Sequence, residues 1–339
     1  MRTDLHVAVV GASGAVGRKM LETLERRNFP VGKLSLFASS RSAGTTVAYK
    51  GEEITIQDIE KAENFKGIDI ALFSAGGDRA LTYAPRFAKD GAVVIDNSSA
   101  FRMNPECPLV VPEVNGKVLE KIPESRIIAN PNCSTIQMVL ALYPLHKHST
   151  LKRVVVSTYQ SVSGAGQKGI DELEKQVVDL FNGREPQIKQ FQHRIAFNCI
   201  PQIDLFEENG YTKEEMKMVN ETRKIMGVPD LAVTATTVRV SVFYSHAESV
   251  NAQFEKDISP ETARELLAET PGVCVIDNPA EKEYPLQSAA AEKDEVFVGR
   301  IRRDFSAPNA LNMWVVSDNL LKGAALNAVQ IAELIAPAL

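Results

Sequence analysis

The sequence predicts an α/β protein: a doubly wound, parallel sheet at the amino-terminal end, followed by an α+β part with a mixed sheet. Three observations predict it. Leu5-His6-Val7-Ala8-Val9-Val10 is a continuous apolar run, the pattern of a strand buried on both faces of a parallel sheet. Gly11-Ala12-Ser13-Gly14-Ala15-Val16-Gly17 follows at once and opens a helix reaching about Arg27, with Val16, Met20 and Leu24 on one face. Beyond about Pro131 the texture changes to long β-branched segments at 153–160, 232–244 and 249–254.

Further strands are expected at 34–38, 68–74 and 92–96, with a helix over about 79–89 and a short helix or loop at 58–65. Strand, helix, strand alternation gives right-handed parallel crossovers, the Rossmann-type arrangement. A short strand at 126–129 then leads into a helix from Ser134 to about His146. In the second part, helices at 168–182, 213–226 and 260–268 separate the strands. Alternation of Thr234, Thr236, Val238 and Val240 with their neighbours predicts a sheet with one covered face. A strand at 311–317 and a helix at 320–335 close the chain. The predicted domains are 1–130, completed by a returning segment 318–339, and 131–317.

Composition narrows the function. Of 339 residues, 44% are apolar and 24% charged, ordinary for a globular enzyme. A net charge of -5 argues against a nucleic-acid surface, and no apolar run is long enough to span a bilayer. The start, Met1-Arg2-Thr3-Asp4-Leu5, enters a strand directly and leaves no room for a signal peptide. Cys107, Cys133, Cys199 and Cys274 have neither metal-ligand nor disulfide-framework spacing, so no metal is expected and the cytoplasm is the expected compartment.

Chemistry gathers at a few positions. Gly11, Gly14 and Gly17 let a backbone turn tightly and approach a pyrophosphate, although the G-x-x-G-x-x-G spacing departs from G-x-G-x-x-G; a plain turn is the alternative. The second strand runs into Ser39-Ser40-Arg41-Ser42-Ala43-Gly44, with no carboxylate for ribose hydroxyls. Arg41 and the hydroxyls therefore favour the 2′-phosphate of NADP, a solvated loop being the other reading. Cys133 stands at a helix start, where unpaired amides and the helix dipole stabilise a thiolate.

Other candidates surround that thiol. His246, closing the segment 239–246, is the candidate acid/base, with a buried core histidine as the alternative. His146 and His148 are expected to complement a helix C-terminus, and His6 to face the core. Arg239, amid apolar strand neighbours, calls for something anionic. Arg102 follows a strand ending at Asp96, where open α/β sheets present ligands, and its planar fork suits phosphate unless it is an ordinary surface arginine. Gln160 precedes the glycine-rich loop 161–166. Glu214 and Lys217 share a helix face and, by themselves, read as a solvated ion pair.

Together these segments resemble the bacterial aspartate-β-semialdehyde dehydrogenases over nearly the whole chain. The matching stretches are the glycine loop, Asn97-Ser98-Ser99-Ala100-Phe101-Arg102, Asn130-Pro131-Asn132-Cys133-Ser134-Thr135, residues 159–166, residues 239–246 and Ser317-Asp318-Asn319-Leu320. The resemblance implies NADPH-dependent reductive dephosphorylation of L-aspartyl-4-phosphate to the semialdehyde and phosphate, on the route to lysine, methionine and threonine. Cys133 would be the nucleophile, His246 the acid/base and Gln160 the residue that orients the substrate. Arg239 would meet the α-carboxylate and Glu214 the ammonium group, while Arg102, Lys217 and Asn132 would serve the phosphate. Gly11, Ser13, Gly14, Ala15, Val16, Arg41, Ser42, Ser163, Gly164 and Asn319 would line the cofactor site. A homodimer, or a tetramer, is implied, with no nucleic-acid or membrane partner.

Three rivals are weighed. An N-acetyl-glutamyl-phosphate reductase shares the thiol chemistry, but its acylated nitrogen offers Glu214 no charge. A glyceraldehyde-3-phosphate-type enzyme differs in its loop and cysteine segments and favours NAD. A nucleotide-sensing scaffold needs no nucleophile.

Overall fold

The computed structural model describes residues 4–339; Met1 to Thr3, where the expectation of no signal peptide begins, lie outside the described residues. The chain divides into two compact units, one reaching to Asn132 and including Ala324–Leu339, the other Cys133–Gly323.

In the first unit the elements are β1 (Leu5–Val10), α1 (Ala15–Arg26), β2 (Val31–Ala38), β3 (Thr46–Tyr49), β4 (Glu52–Asp58), β5 (Ile70–Phe73), α2 (Gly77–Lys89), β6 (Val93–Asp96), α3 (Pro112–Asn115) and β7 (Ile127–Ala129). The sheet order is β3-β4-β2-β1-β5-β6-β7, parallel throughout except for β3. Strands are added to both sides of β1, which puts the topological switch at its carboxyl end, where the glycine loop begins. The β3–β4 hairpin went unread in the sequence. Its turn, Lys50-Gly51, holds both residues at positive φ (49° and 81°), the twist that a tight hairpin needs, without the usual Asn-Gly signal. The 58–65 segment contains a single 3₁₀ turn, Ile59–Lys61.

The carboxyl-terminal helix, Leu326–Ile335, belongs to this unit, and its Val329, Ile331 and Ile335 join Met20, Leu21 and Leu24 of α1 in one apolar core. Its Asn327 amide also donates to the Val110 carbonyl and to Asn130 Oδ1, so the segment just before the thiol is fixed by the end of the chain. His6 is half-buried rather than fully in the core, because its ring bonds both the Ser35 hydroxyl and the Gly67 carbonyl.

The second unit contains α4 (Cys133–His148), β8 (Leu151–Gln160), α5 (Gln167–Phe181), β9 (Cys199–Ile200), α6 (Lys213–Met226), β10 (Ala232–Val240), β11 (His246–Phe254), α7 (Pro260–Ala268), β12 (Val273–Val275), α8 (Gln287–Ala290), β13 (Val296–Arg303) and β14 (Ala310–Ser317); the carboxyl-terminal helix is α9. Its sheet runs β12-β13-β14-β11-β8-β10-β9 and is mixed, with β8–β10 and β12–β13 parallel and the other pairs antiparallel. The chain leaves this unit at Gly323, beyond the expected 317, because Asp318 and Asn319 are bonded into it. The strand expected over 232–244 ends at Val240, and its well-covered face carries Ala235, Thr237 and Arg239. One histidine needs correction. His146 does not offer a positive charge to the end of α4; its Nδ1 accepts from the Leu151 amide, and burial lowers its pKa, so the neutral ring caps the turn into β8.

Candidate active site

Strand register builds the centre of the second unit. Arg239 of β10 is opposite Gln160 of β8, Gln160 is opposite His246 of β11, and His246 is opposite Ser317 of β14. Paired residues share a face, so four adjacent strands carry one buried row: Arg239, Gln160, His246, Ser317. Two residues further along each strand, on the same face, lies a second buried row, Thr237, Thr158, Glu248 and Val315.

Helix α6 adds charge to the row. Thr212 caps it through a reciprocal box with Glu215, whose other carboxylate oxygen accepts from the Thr237 amide of β10. That double anchor fixes the helix phase. Glu214 then accepts from Gln160 Nε2 at 3.2 Å, and Lys217 Nζ lies 3.0 Å from the same carboxylate. Lys217 is also 2.9 Å from Asp204. Burial works to lower the lysine pKa, but the two carboxylates outweigh it and raise it overall.

His246 is fully buried, and its state follows from geometry. The Ser161 amide can only donate, and it meets Nδ1 at 3.1 Å. The neutral ring therefore carries its proton on Nε2, which lies 3.4 Å from Gln160 Nε2. Burial, then the Arg239 charge, push the imidazole down to about 3, with Glu214 opposing them. Arg239 is itself held by the Ser161 carbonyl at 2.7 Å; burial lowers its pKa while Glu214 and Cys133 act to raise it. A cationic guanidinium within reach of both a carboxylate and the thiol can stabilise negative charge on either.

Cys133 is the first residue of α4 and is partly exposed. Against it stands Gly323, where a Cβ would fall 2.8 Å from the Cys133 Cβ. That glycine sits in a π-helical turn, Leu321–Ala325, which the Asp318 carboxylate initiates by accepting from the Leu320 and Leu321 amides. Asn319 Oδ1 gathers the hydroxyls of Ser161 and Ser163 and the Ser245 amide, bracing the loop before His246. Gly164 packs over the row: a Cβ there would lie 2.8 Å from Arg239 Nη1 and 3.3 Å from His246 Nε2.

The first unit holds a separate cluster. Gly11 has φ +89°, and an added Cβ would meet the Ser74 carbonyl at 2.3 Å; one at Gly17 would meet the Gly11 carbonyl at the same distance. Both are structurally obligatory, whereas Gly14 has more room and leads into Ala15 and Val16 at the start of α1, which no side chain caps. Ser13 donates to Ser42 at 3.1 Å, bringing the loop after β2, with exposed Arg41, beside the glycine turn. Arg102 is buried near the other edge of that sheet, donating to the carbonyls of Asn97 and Asn130, with Asn132 two residues further on.

The second unit thus brings together Cys133, Gln160, Ser163, Gly164, Glu214, Lys217, Arg239, His246 and Asn319. The first unit gathers Gly11, Ser13, Gly14, Ala15, Val16, Arg41 and Ser42, with Arg102 and Asn132 apart from them in sequence. Sequence reasoning missed Asp204, Thr158, Ser161 and Gly323. A glycine inside an otherwise helical, apolar pattern was the available signal for Gly323; Asp204, in an exposed loop, gave none.

A nucleotide-type glycine loop on the first unit, and on the second a helix-start thiol that interacts with a buried arginine, are the features of a nicotinamide-linked dehydrogenase. Family models agree: residues 6–122 match the semialdehyde dehydrogenase NAD binding domain, and 142–322 the semialdehyde dehydrogenase dimerisation domain. The chain belongs to the aspartate-semialdehyde dehydrogenase family, oxidoreductases of amino-acid biosynthesis. It is 58% identical to the aspartate-semialdehyde dehydrogenase of Aquifex aeolicus over 97% of each chain, and 54% identical to that of Bacillus subtilis over 98% of each. The crystal structure of aspartate semialdehyde dehydrogenase II from Vibrio cholerae, complexed with ASA, superposes with a TM-score of 0.96 at 49% identity over 98% of both chains. No helix among the described residues is long and apolar enough to cross a membrane.

Proposed function

We propose that the chain reduces L-aspartyl-4-phosphate to L-aspartate 4-semialdehyde with release of phosphate, using NADPH and a thioester on Cys133. The observation that carries this reading is the buried pair of opposite charges bracketing Gln160. Arg239 is suited to a carboxylate, Glu214 to an ammonium group, and both are coupled to the groups that would do the chemistry. A substrate with a free α-amino group and α-carboxylate supplies both partners. An N-acetylated substrate would offer Glu214 no ammonium group.

In the forward direction Sγ of Cys133 attacks the acyl carbon and phosphate leaves. Amides at the start of α4 and the Nε2–H of His246 donate to the oxygen that becomes anionic. When bound, the nicotinamide supplies the hydride that reduces the thioester. His246 keeps its Nε2 proton hydrogen-bonded to the oxyanion, whose electron pair re-forms the carbonyl as the carbon–sulfur bond breaks and Cys133 leaves as the thiolate. Covalent capture also holds the reacting carbon in place between steps. Arg102, Lys217 and Asn132 are assigned to the phosphate, with Lys217 exchanging a carboxylate partner for it. The glycine loop, Ser13, Arg41 and Ser42 are assigned to the dinucleotide, with Ser163, Gly164 and Asn319 as its contacts on the second unit. NADP is proposed over NAD because Arg41 stands where an acidic residue would otherwise read the ribose. A homodimer and a cytoplasmic site are part of the same reading. The first is supported by the matched dimerisation domain, the second by cysteine spacing that fits no disulfide framework and by a thiol that must stay reduced to react.

The test is direct. Purified protein, aspartate semialdehyde, phosphate and NADP should give phosphate-dependent absorbance at the reduced-nicotinamide band. N-acetylglutamate semialdehyde and glyceraldehyde 3-phosphate should not. Turnover of the acetylated compound in preference would replace this substrate with the rival one.

A further inference from the structure

One buried titratable group plays no part in the chemistry above. Glu248 is 0% exposed, two residues from His246 on the same face of β11, with Thr158 and Val315 opposite it in the second row. Neither of its carboxylate oxygens completes a hydrogen bond, nor does Nε2 of Gln137 on α4. Gln137 stands one turn after Cys133, is also 0% exposed, and its Oε1 accepts from the Ser317 hydroxyl at 2.7 Å. Ser317 is the neighbour of His246 in the first row. Thr158, beside Glu248 in the second row, links the rows in the same way: it donates to Gln160 Oε1 at 3.1 Å, which turns the Gln160 amide towards Glu214.

We infer that Glu248 is a positioning residue for this reaction: as the undissociated acid it pairs with Gln137 and so locks the nucleophile helix to the strand pair that carries His246 and Ser317. The inference rests on the reaction assigned above. Burial raises the carboxyl pKa well above its ordinary value, opposed by the Gln137 carboxamide. The chemistry requires the same state, since an anion one row beneath His246 would oppose negative charge developing at the start of α4. A buried acid with one amide partner satisfies two orphaned groups at once, whereas an apolar replacement leaves Gln137 unsatisfied and free to turn.

The experiment compares Glu248→Gln, Glu248→Leu, Gln137→Leu and the double Leu variant. Each is assayed for kcat, for KM of semialdehyde and NADP, for the alkylation rate of Cys133 and for Tm. Glu248→Gln, neutral and of the same shape, should keep most of the wild-type turnover. Glu248→Leu should lose roughly 10- to 100-fold in kcat with KM values unchanged and slower alkylation, the cost of a nucleophile displaced by a fraction of an ångström. Gln137→Leu should match it, and the double variant should lose no more than either single one. Wild-type turnover in both Leu variants overturns the inference. So does a Gln variant as damaged as Leu, which would make the charge the requirement. Losses that track the folded fraction, with kcat per folded molecule intact, overturn it as well. Should Glu248→Leu fail to fold, Gln137→Leu and Glu248→Gln decide the matter. An inactive wild-type protein would instead strike the proposed reaction.

Discussion

The Ser161 amide lies 3.1 Å from Nδ1 of His246 and donates to it, which fixes the neutral imidazole with its proton on Nε2. Two residues that follow Gln160 and precede Ala247 in their strands thereby set one tautomer. The consequence is an imidazole that starts as a hydrogen-bond donor to the site rather than as an acceptor.

This state carries a pH signature. The buried ring titrates near 3, against 6.5 when exposed, through burial first and Arg239 second. Between those values the unfolded chain binds a proton that the folded chain does not, so stability rises with pH across the window and is lost as pH falls through it. The contribution is up to about 5 kcal/mol. Replacing His246 with Asn should flatten the decline of Tm between neutral and acid pH. Parallel wild-type and variant curves would show that the ring is not buried neutral.

Cys133→Ala should fold normally and lose activity by about 10⁴-fold or more, since no other group can form the thioester. Mass spectrometry after iodoacetamide should find the wild-type label on Cys133, with turnover lost in proportion. A Cys133→Ala protein that still turns over at a measurable fraction of the wild-type rate would dismiss covalent catalysis.

Arg239→Lys keeps the charge but loses the fork that holds the Ser161 carbonyl and that the proposed function pairs with the substrate carboxylate. A drop in kcat/KM for the semialdehyde of roughly 100-fold is expected, with NADP affinity little changed. Steady-state kinetics in both substrates reads the split; equal losses in both would argue against a carboxylate role.

Gly323→Ala places a methyl group 2.8 Å from the Cys133 Cβ. The π-helical turn must shift or the thiol must, and kcat should fall about 100-fold even if the protein stays folded. Unaltered kcat and alkylation rate would show that the turn yields without moving the nucleophile.

Arg41→Ala should raise KM for NADPH by roughly tenfold or more and leave NADH use nearly unchanged, because an exposed guanidinium acts through one phosphate contact. Equal effects on both cofactors would take Arg41 out of the 2′-phosphate site.

Much of the fold was legible because local pattern and final structure agree. β1 and α6 have the bounds the pattern predicts, the first as an unbroken apolar run, the second bounded by Thr212 and Gly227. The strands that escaped notice, β3, β4, β9, β12 and β13, are short, at or near a sheet edge, or charged on one side, so hydrophobic period alone cannot mark them. Glu214 and Lys217 illustrate the limit at the site: their spacing gives a shared helix face, yet nothing local says that Gln160, 54 residues earlier, meets that face.

By itself the sequence determined the kinds of chemistry available: a thiol at a helix start, a phosphate-type glycine loop, an arginine that no strand pattern could account for. Those are matters of residue type and neighbouring spacing. Tertiary structure alone decided that Arg239, Gln160, His246 and Ser317 form one row, that Ser161 selects the tautomer, and that Gly323 closes on Cys133. Such facts depend on strand register and on contacts between distant segments, and burial then turns those contacts into shifted proton affinities that no isolated segment possesses.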